Sequence, residues 1–231
     1  MKKLIQFIFS VKNSSDKKHK VLTFFGAKLK FKCKKNHIKC ANNNLISDDK
    51  YAAMYSQIHS SNSSYGSTSI DFLNEARVII DYLQPKSVLD FGCGKGALLN
   101  KLQELYPNIL FYGYDPSIKG KEIIPVEKVD LVINTDVLEH IPENIIPNVL
   151  KKMSSLSDNV FFALHHALAT AILPNGENAH ITVKPKEWYG EILSNYFKIV
   201  NQYNGKFDYT SFALTFNLPE DVKEDFIKAI G

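Results

Sequence analysis

"VLDFGCGKG", residues 88–96, sets three glycines (Gly92, Gly94 and Gly96) between a short apolar run and the helix-forming "ALLNKLQELY". A strand that enters a glycine turn and leaves as a helix lets a ligand approach the backbone, because no side chain stands in the way. The helix N-terminus adds N–H groups that no carbonyl of the helix uses. With Ala97 the spacing also satisfies G-x-G-x-x-G/A, a weak signal by itself. Asp90, two residues ahead of Gly92, makes the pattern D-x-G-x-G-x-G. An acid at the strand end suits a ligand with a positively charged amino-acid group and opposes the pyrophosphate of a dinucleotide.

Working outward, strand-like and helix-like runs alternate. Residues 50–84 read as helical segments around "SSNSSYGSTS", with apolar residues at helical spacing over 70–83. Strands are expected at 87–91, 109–115, 128–134 and 159–164, and helices at 95–105 and over "IIPNVLKKMSSL". The runs 197–204 and 209–217 read as a closing β-hairpin. Short-linked alternation of this kind predicts an α/β fold with a doubly wound, mostly parallel sheet. No internal repeat is present.

Charge divides the chain. Residues 1–40 hold twelve lysines and one acid, Asp16, whereas the remainder holds 16 basic and 23 acidic residues. A basic arm (1–45) is therefore expected ahead of a mildly acidic domain (46–231), with "ANNNLISDD" as the break. The acidic body argues against nucleic acid as a partner. Residues 1–12 read as a short helix. Over 19–34 the alternation of Leu29, Phe31 and Cys33 with lysines reads as a β-hairpin turning at Gly26. Its apolar face needs cover, for which three readings stay open: the chain's own core, a second copy in a homodimer, or an anionic membrane surface met by residues 1–40. The opening residues lack the cleavage site of a signal peptide, no apolar run reaches the roughly 20 residues of a membrane span, and three cysteines form no disulfide framework, so a cytoplasmic location is expected.

Two further strand ends carry polar signals. "YGYD" ends at Asp115, where an acid can accept hydrogen bonds from two ribose hydroxyls, and "INTDVLEHIP" puts Thr135 and Asp136 at the next edge. Together, "VLDFGCGKG", "YGYDPS" and "DLVINTDVLEHIP" resemble a class I S-adenosylmethionine-dependent methyltransferase. "SSYGSTS", the short passage from Asp115 to Asp130, and "LPNGENAHITVKPKEWYGEIL" (173–193) are similar to a bacterial subgroup associated with surface-polysaccharide and cell-envelope loci. The likeness covers about residues 50–216. It departs from the wider superfamily in that "IKGKEIIPV" replaces the usual helix and third strand, which leaves the adenine contact unassigned.

The resemblance implies S-adenosyl-L-methionine as cofactor. It implies Gly92, Gly94 and Gly96 against the methionine and ribose portion, Asp90 near the ammonium group, and Asp115 on the ribose. Asp136 and Val137 would then lie near the sulfonium, with Tyr65 closing over the methionyl end. The expected reaction is methyl transfer to a small-molecule, nucleotide-linked or glycan acceptor, an O-methylation in polysaccharide biosynthesis. The alternatives are a phosphate-type or amine acceptor, or a non-catalytic partner subunit that binds the cofactor. A hydroxyl acceptor benefits from a base of pKa near the working pH, which suits histidine. The expected base is His166 or His180, with Asp136 as orienter or alternative base, although an acid at that position can equally cap a helix. Glu139 and His140 read as a local helix-start bond. Of His165 and His166, one is expected to face the core and the other the cleft. No metal is expected: Cys33, His37 and Cys40 have irregular spacing for zinc, and the flanks of Asp136 with His165 or His166 do not spell out a divalent-ion motif.

Overall fold

The computed structural model describes residues 46–199, 201–205 and 208–231 in full, together with the backbone of three strands nearer the N-terminus. The chain divides into two compact units, residues 1–44 and 45–231. In the first, β1 (Phe9–Asn13), β2 (His19–Phe24) and β3 (Ala27–Lys32) form an antiparallel sheet in that order. Phe9–Lys12 is thus strand, where the apolar spacing suggested helix. A strand needs only alternate apolar residues to find a partner, and β1 pairs with β2 along its whole length. Residues 1–8, the turn at Gly26, and Cys33, His37 and Cys40 lie outside the described residues.

The second unit is a three-layer α/β/α domain. Its six strands are β4 (Ser87–Phe91), β5 (Leu110–Tyr114), β6 (Leu131–Thr135), β7 (Val160–His165), β8 (Asn201–Asn204) and β9 (Thr210–Leu214). They lie in the order β5-β4-β6-β7-β9-β8. The first four are parallel, and β9 runs antiparallel to both β7 and β8. Chain order reverses beside β4, so β4 and its two neighbours open a crevice at their carboxyl ends. Between Tyr114 and Leu131 the described residues form only turns and bends.

Strand parity sorts the core. Leu89, Phe91, Val132, Phe162 and Leu164 face α4 (Ile146–Leu156) and α5 (Lys186–Ser194). Val88, Leu131, Ile133, Phe161 and Ala163 face α2 (Leu73–Leu83), α3 (Ala97–Leu105) and α6 (Glu220–Ile230). In α4 the residues Ile146, Val149, Leu150 and Met153 recur at helical spacing and are wholly buried. Each such side chain contributes about 1.5–3 kcal/mol of burial. Two helices escaped the sequence reading. In α5, Gly190 interrupts the pattern because the Gln202 amide presses against it, where a Cβ would stand 2.7 Å from Nε2. In α6, the helix opens after Pro219 on the acids Glu220 and Asp221, a favourable charge arrangement for a helix start.

Candidate active site

The turn after β4 is built from the backbone. Gly92 and Cys93 N–H groups donate to the Tyr114 carbonyl at 2.7 and 3.0 Å, tying the turn to β5. Gly92 and Gly94 have φ of 91° and 50°. A Cβ at Gly92 would run into the Val137 side chain, and one at Gly94 would stand 2.5 Å from the Gly66 carbonyl oxygen. Both need glycine for conformation and for space. Gly66 in turn accepts the Lys95 N–H at 3.0 Å, and Lys95 Nζ donates to the Asn62 and Ser63 carbonyls. The "SSYGSTS" loop is thereby pinned over the turn, with Tyr65 edge-on to His59 at a ring separation of 5.0 Å.

A cavity of about 490 Å³ opens beside this turn. Gly92, Gly94, Asp115, Asp136, Val137 and Tyr65 all line it. Asp115 accepts from the Gly94 N–H at 2.9 Å and from the Ser117 N–H and Oγ at 2.8 and 2.5 Å, which fixes its carboxylate at the β5 end of the cavity. Gly96 and Asp90 are outside the lining. Gly96 is the first residue of the α3 start, and Asp90 lies buried beneath the turn with neither carboxyl oxygen hydrogen-bonded. Burial raises the Asp90 pKa to about 7, against the opposing influence of Lys121. The Lys121 ammonium donates to the Gly94 carbonyl at 3.3 Å.

The far end of the cavity is made of side chains from four segments. Asp136 follows β6 in the left-handed region, φ 59°, a strained conformation for a non-glycine residue. Its N–H donates to the Ala163 carbonyl at 3.0 Å, and its Oδ2 accepts from Thr68 Oγ1 at 3.1 Å. His165, at the end of β7, puts Nδ1 3.5 Å from Asp136 Oδ1. His140 and His165 each stand close to the His180 ring, at centroid separations of 4.7 and 4.8 Å. A carbonyl can only accept, so bonds from His140 Nδ1 to Ala179 O (2.8 Å) and from His180 Nδ1 to Ala167 O (2.6 Å) put the proton on Nδ1 of both rings. Nε2 of each is then a free lone pair. The buried Tyr55 of α1 (Asp49–Ser61) also donates to Ala179 O, at 2.6 Å, so α1 and the 167–181 loop close this end together.

Electrostatics at this end follow from burial and proximity. Burial lowers the His140 pKa to about 4, though Asp136 opposes it, and lowers His165 in the same way. Burial alone would raise Asp136, but His140, contact with Glu139, and His165 and His180 outweigh it and hold the carboxyl below its usual range. Glu139, fully buried one turn further on, is pushed well above the usual carboxylate range by burial and by the Asp136 charge.

His166 is not brought to the cavity. Its Nδ1 donates to the Lys184 carbonyl at 2.9 Å, and its Nε2 accepts from Ser211 Oγ at 2.7 Å, with the ring beside Tyr189. Adjacent strand residues point to opposite faces, so His165 takes the cavity and His166 the α5 side. The parity of β7 in the sequence carried that signal: His166 shares phase with Phe162 and Leu164. Glu139 and His140, read as helix-start bonds, also belong to the site. Their signal was the spacing from Asp136, which places all three on one short turn.

A family model described as a methyltransferase domain matches residues 70–200. The chain belongs to this family. No curated protein matches it. Among solved structures it is similar to a candidate O-methyltransferase of Nostoc punctiforme PCC 73102, with 14% identity and a TM-score of 0.50, over 71% of this chain and 60% of that one. The chain thus spans less than two thirds of that protein. It is also similar to magnesium protoporphyrin IX methyltransferase of Synechocystis PCC 6803, solved with bound S-adenosylmethionine, at 20% identity and a TM-score of 0.44, over 67% and 81% of the two chains. At these identities the likeness is one of fold. The fit to the cofactor rests on the molecule itself: two glycines that line the cavity with bare backbone and have no room for a side chain, and a carboxylate held at the end of β5.

Proposed function

We propose that this chain transfers a methyl group from S-adenosylmethionine to a hydroxyl group of a small-molecule or glycan acceptor, in surface-polysaccharide biosynthesis. The observation that carries the O-methylation reading is the cluster of Asp136, His140, His165 and His180 along one end of the cavity whose other end is the glycine turn. A phosphate acceptor already carries its attacking oxygen as an anion and needs no base, whereas a hydroxyl gains from an imidazole that takes its proton. The polysaccharide reading is supported by the two segments that resemble that subgroup: both contribute to this cavity, through Tyr65 and Thr68 on one side and His180 on the other. The turns and bends between Asp115 and Asp130 are read as the reduced third-strand region.

When bound, S-adenosylmethionine supplies a methyl group already activated as a sulfonium. The chain's own residues do the rest. The glycine turn and Asp115 would hold the methionyl and ribose portions. Val137, packed over Gly92, and Asp136 set the edge that the acceptor must approach in line. An acceptor hydroxyl placed at this edge would give its proton to an imidazole with a free Nε2, His180 being the candidate, with its ring fixed by the Ala167 carbonyl and Asp136 beside the cluster. Tyr55 and the 167–181 loop wall this end, joined by the Tyr55 bond to the Ala179 carbonyl.

The test has two parts. S-adenosylhomocysteine should bind in the micromolar range, on the order of −8 kcal/mol. Methyl-labelled cofactor should then transfer label to hydroxyl-bearing sugars or nucleotide sugars. Label appearing only on amines, with sugars inert, would overturn the acceptor reading.

A further inference from the structure

We infer that the acceptor end of the cavity is a binding site for one divalent transition-metal ion, held by Asp136, Glu139, His165 and His180. The sequence led to an expectation of no metal: the flanks of Asp136 with His165 or His166 showed no divalent-ion motif, and Glu139 and His180 lie up to 44 positions away from Asp136 along the chain. The fold gathers them. One ligand atom from each lies within 4.8 Å of the others. Donors around an ion at about 2.1 Å stand roughly 3–4 Å apart, so the side chains would draw in by about 1–2 Å to close on it.

The state of each donor supports a cation beyond mere proximity. Both carboxyl oxygens of Glu139 are buried and lack a hydrogen bond of good geometry, and the residue is 0% exposed. An acid is costly to bury unless a proton or a cation compensates it. His180 gives its Nδ1 proton to the Ala167 carbonyl, which fixes the ring and aims a bare Nε2 away from that bond. A metal-ligating histidine is characteristically oriented this way, by a bond from its other nitrogen. Thr68 Oγ1 does the same for Asp136, at 3.1 Å. His140, tied to Ala179 and outside the donor set, completes the wall.

The donor chemistry selects the ion. Two imidazoles with two carboxylates favour Mn²⁺, Fe²⁺, Co²⁺ or Zn²⁺ over Mg²⁺ or Ca²⁺, which prefer all-oxygen shells. The two carboxylates neutralise the ion's charge. Asp136 is also the residue next to Val137 at the edge of the glycine turn, so an ion here would stand beside the reacting groups. It would supply Lewis acidity toward an acceptor hydroxyl, and with His180 then spent on the ion the hydroxyl proton would pass to His140 Nε2 in its place, a role that rests on the methyl-transfer reading above. The binding site itself does not depend on that reading.

The experiment titrates Mn²⁺ into chelator-treated full-length protein and follows loss of the free-ion electron paramagnetic resonance signal, with S-adenosylhomocysteine affinity measured on the same sample. One Mn²⁺ should bind per chain in the micromolar range and be displaced by Zn²⁺ but not by equimolar Mg²⁺. Glu139→Gln and His180→Asn should each weaken Mn²⁺ by at least about tenfold. His166→Asn should leave it unchanged. Circular dichroism melting confirms that the variants fold, and His180→Asn, on a loop, provides a readout if the buried Glu139→Gln does not fold. Wild type that binds S-adenosylhomocysteine yet takes up no Mn²⁺ or Zn²⁺ at millimolar concentration overturns the metal site and leaves the imidazole cluster as proton acceptor. Equal metal affinity in wild type and His180→Asn overturns it too. Metal uptake by a chain that binds no S-adenosylhomocysteine upholds the metal site and removes the cofactor reading instead.

Discussion

The two ends of the cavity are made in different ways. The donor end is backbone: a glycine turn, its N–H groups, and one carboxylate, contributed by chain segments that follow adjacent strands. The acceptor end is side chain: residues from the turn after β6, the end of β7 and the 167–181 loop, converging on one small volume. A backbone cradle is specified locally, so few substitutions leave it intact and its ligand is common to a family. A side-chain cluster is specified by the whole fold and can be altered one residue at a time, which is where acceptor choice can vary.

The sharpest break between the two ends comes from His180. His180→Ala should lower turnover by about 10²–10⁴-fold, whether the ring accepts the proton or holds an ion. S-adenosylhomocysteine affinity should scarcely change, because His180 is not on the glycine turn. Stopped turnover with equally damaged cofactor binding, read by calorimetry beside a labelled-methyl assay, would merge the two ends into one unit.

The converse substitution is Asp115→Ala. Loss of its charged hydrogen bonds should weaken S-adenosylhomocysteine by about 1.5–3 kcal/mol. Part of that cost comes through the turn, since the same carboxylate holds the Gly94 N–H. Turnover at saturating cofactor should fall far less than in His180→Ala. Undiminished affinity would show that this carboxylate shapes the turn without touching the ligand.

Asp90 sharpens the donor end in a different way. Its pKa is raised to about 7 by burial, above the unfolded value of 3.8. The folded protein therefore binds more protons than the unfolded chain between those values, and stability falls as pH rises through that window toward the folded pKa. Asp90→Asn removes the titration. It should flatten the decline in melting temperature between pH 5 and pH 8, an effect of about 1–3 kcal/mol at the upper pH. An unchanged slope would mean that Lys121 keeps the acid ionised throughout.

How much of this was legible varied with the same divide. The strand 87–91, the alternation of elements and the glycine turn could be read directly, because backbone requirements write themselves into consecutive residues. Asp136 was visible as an acid at a strand end, but its left-handed backbone and its partners were not. Glu139 was misplaced because the local reading, a helix-start bond, is the commoner use of an acid there. Only the packing of β7 and the 167–181 loop shows that it faces a shared volume. Helix α6 was missed because no glycine or motif draws attention to it, although its apolar face covers the sheet through Phe226 and Ile230.

The smallest expected effect tests the comparison at its finest grain, in two neighbouring histidines. His165 and His166 are consecutive, at the carboxyl end of β7, and both have lowered pKa values, chiefly from burial. The pleat alone separates them: His165 stands 3.5 Å from Asp136, whereas both nitrogens of His166 are spent on Lys184 and Ser211. His166→Asn should therefore cost stability, about 0.5–1.5 kcal/mol for a hydrogen bond lost or lengthened, while turnover stays near that of the wild type. His165→Asn should do the reverse, melting near the wild type with turnover reduced. Paired melting curves and rate assays on the two variants read both quantities. If His166→Asn proves the slower enzyme, the cavity extends past β7 toward α5, and the assignment of the acceptor end to one face of the sheet fails.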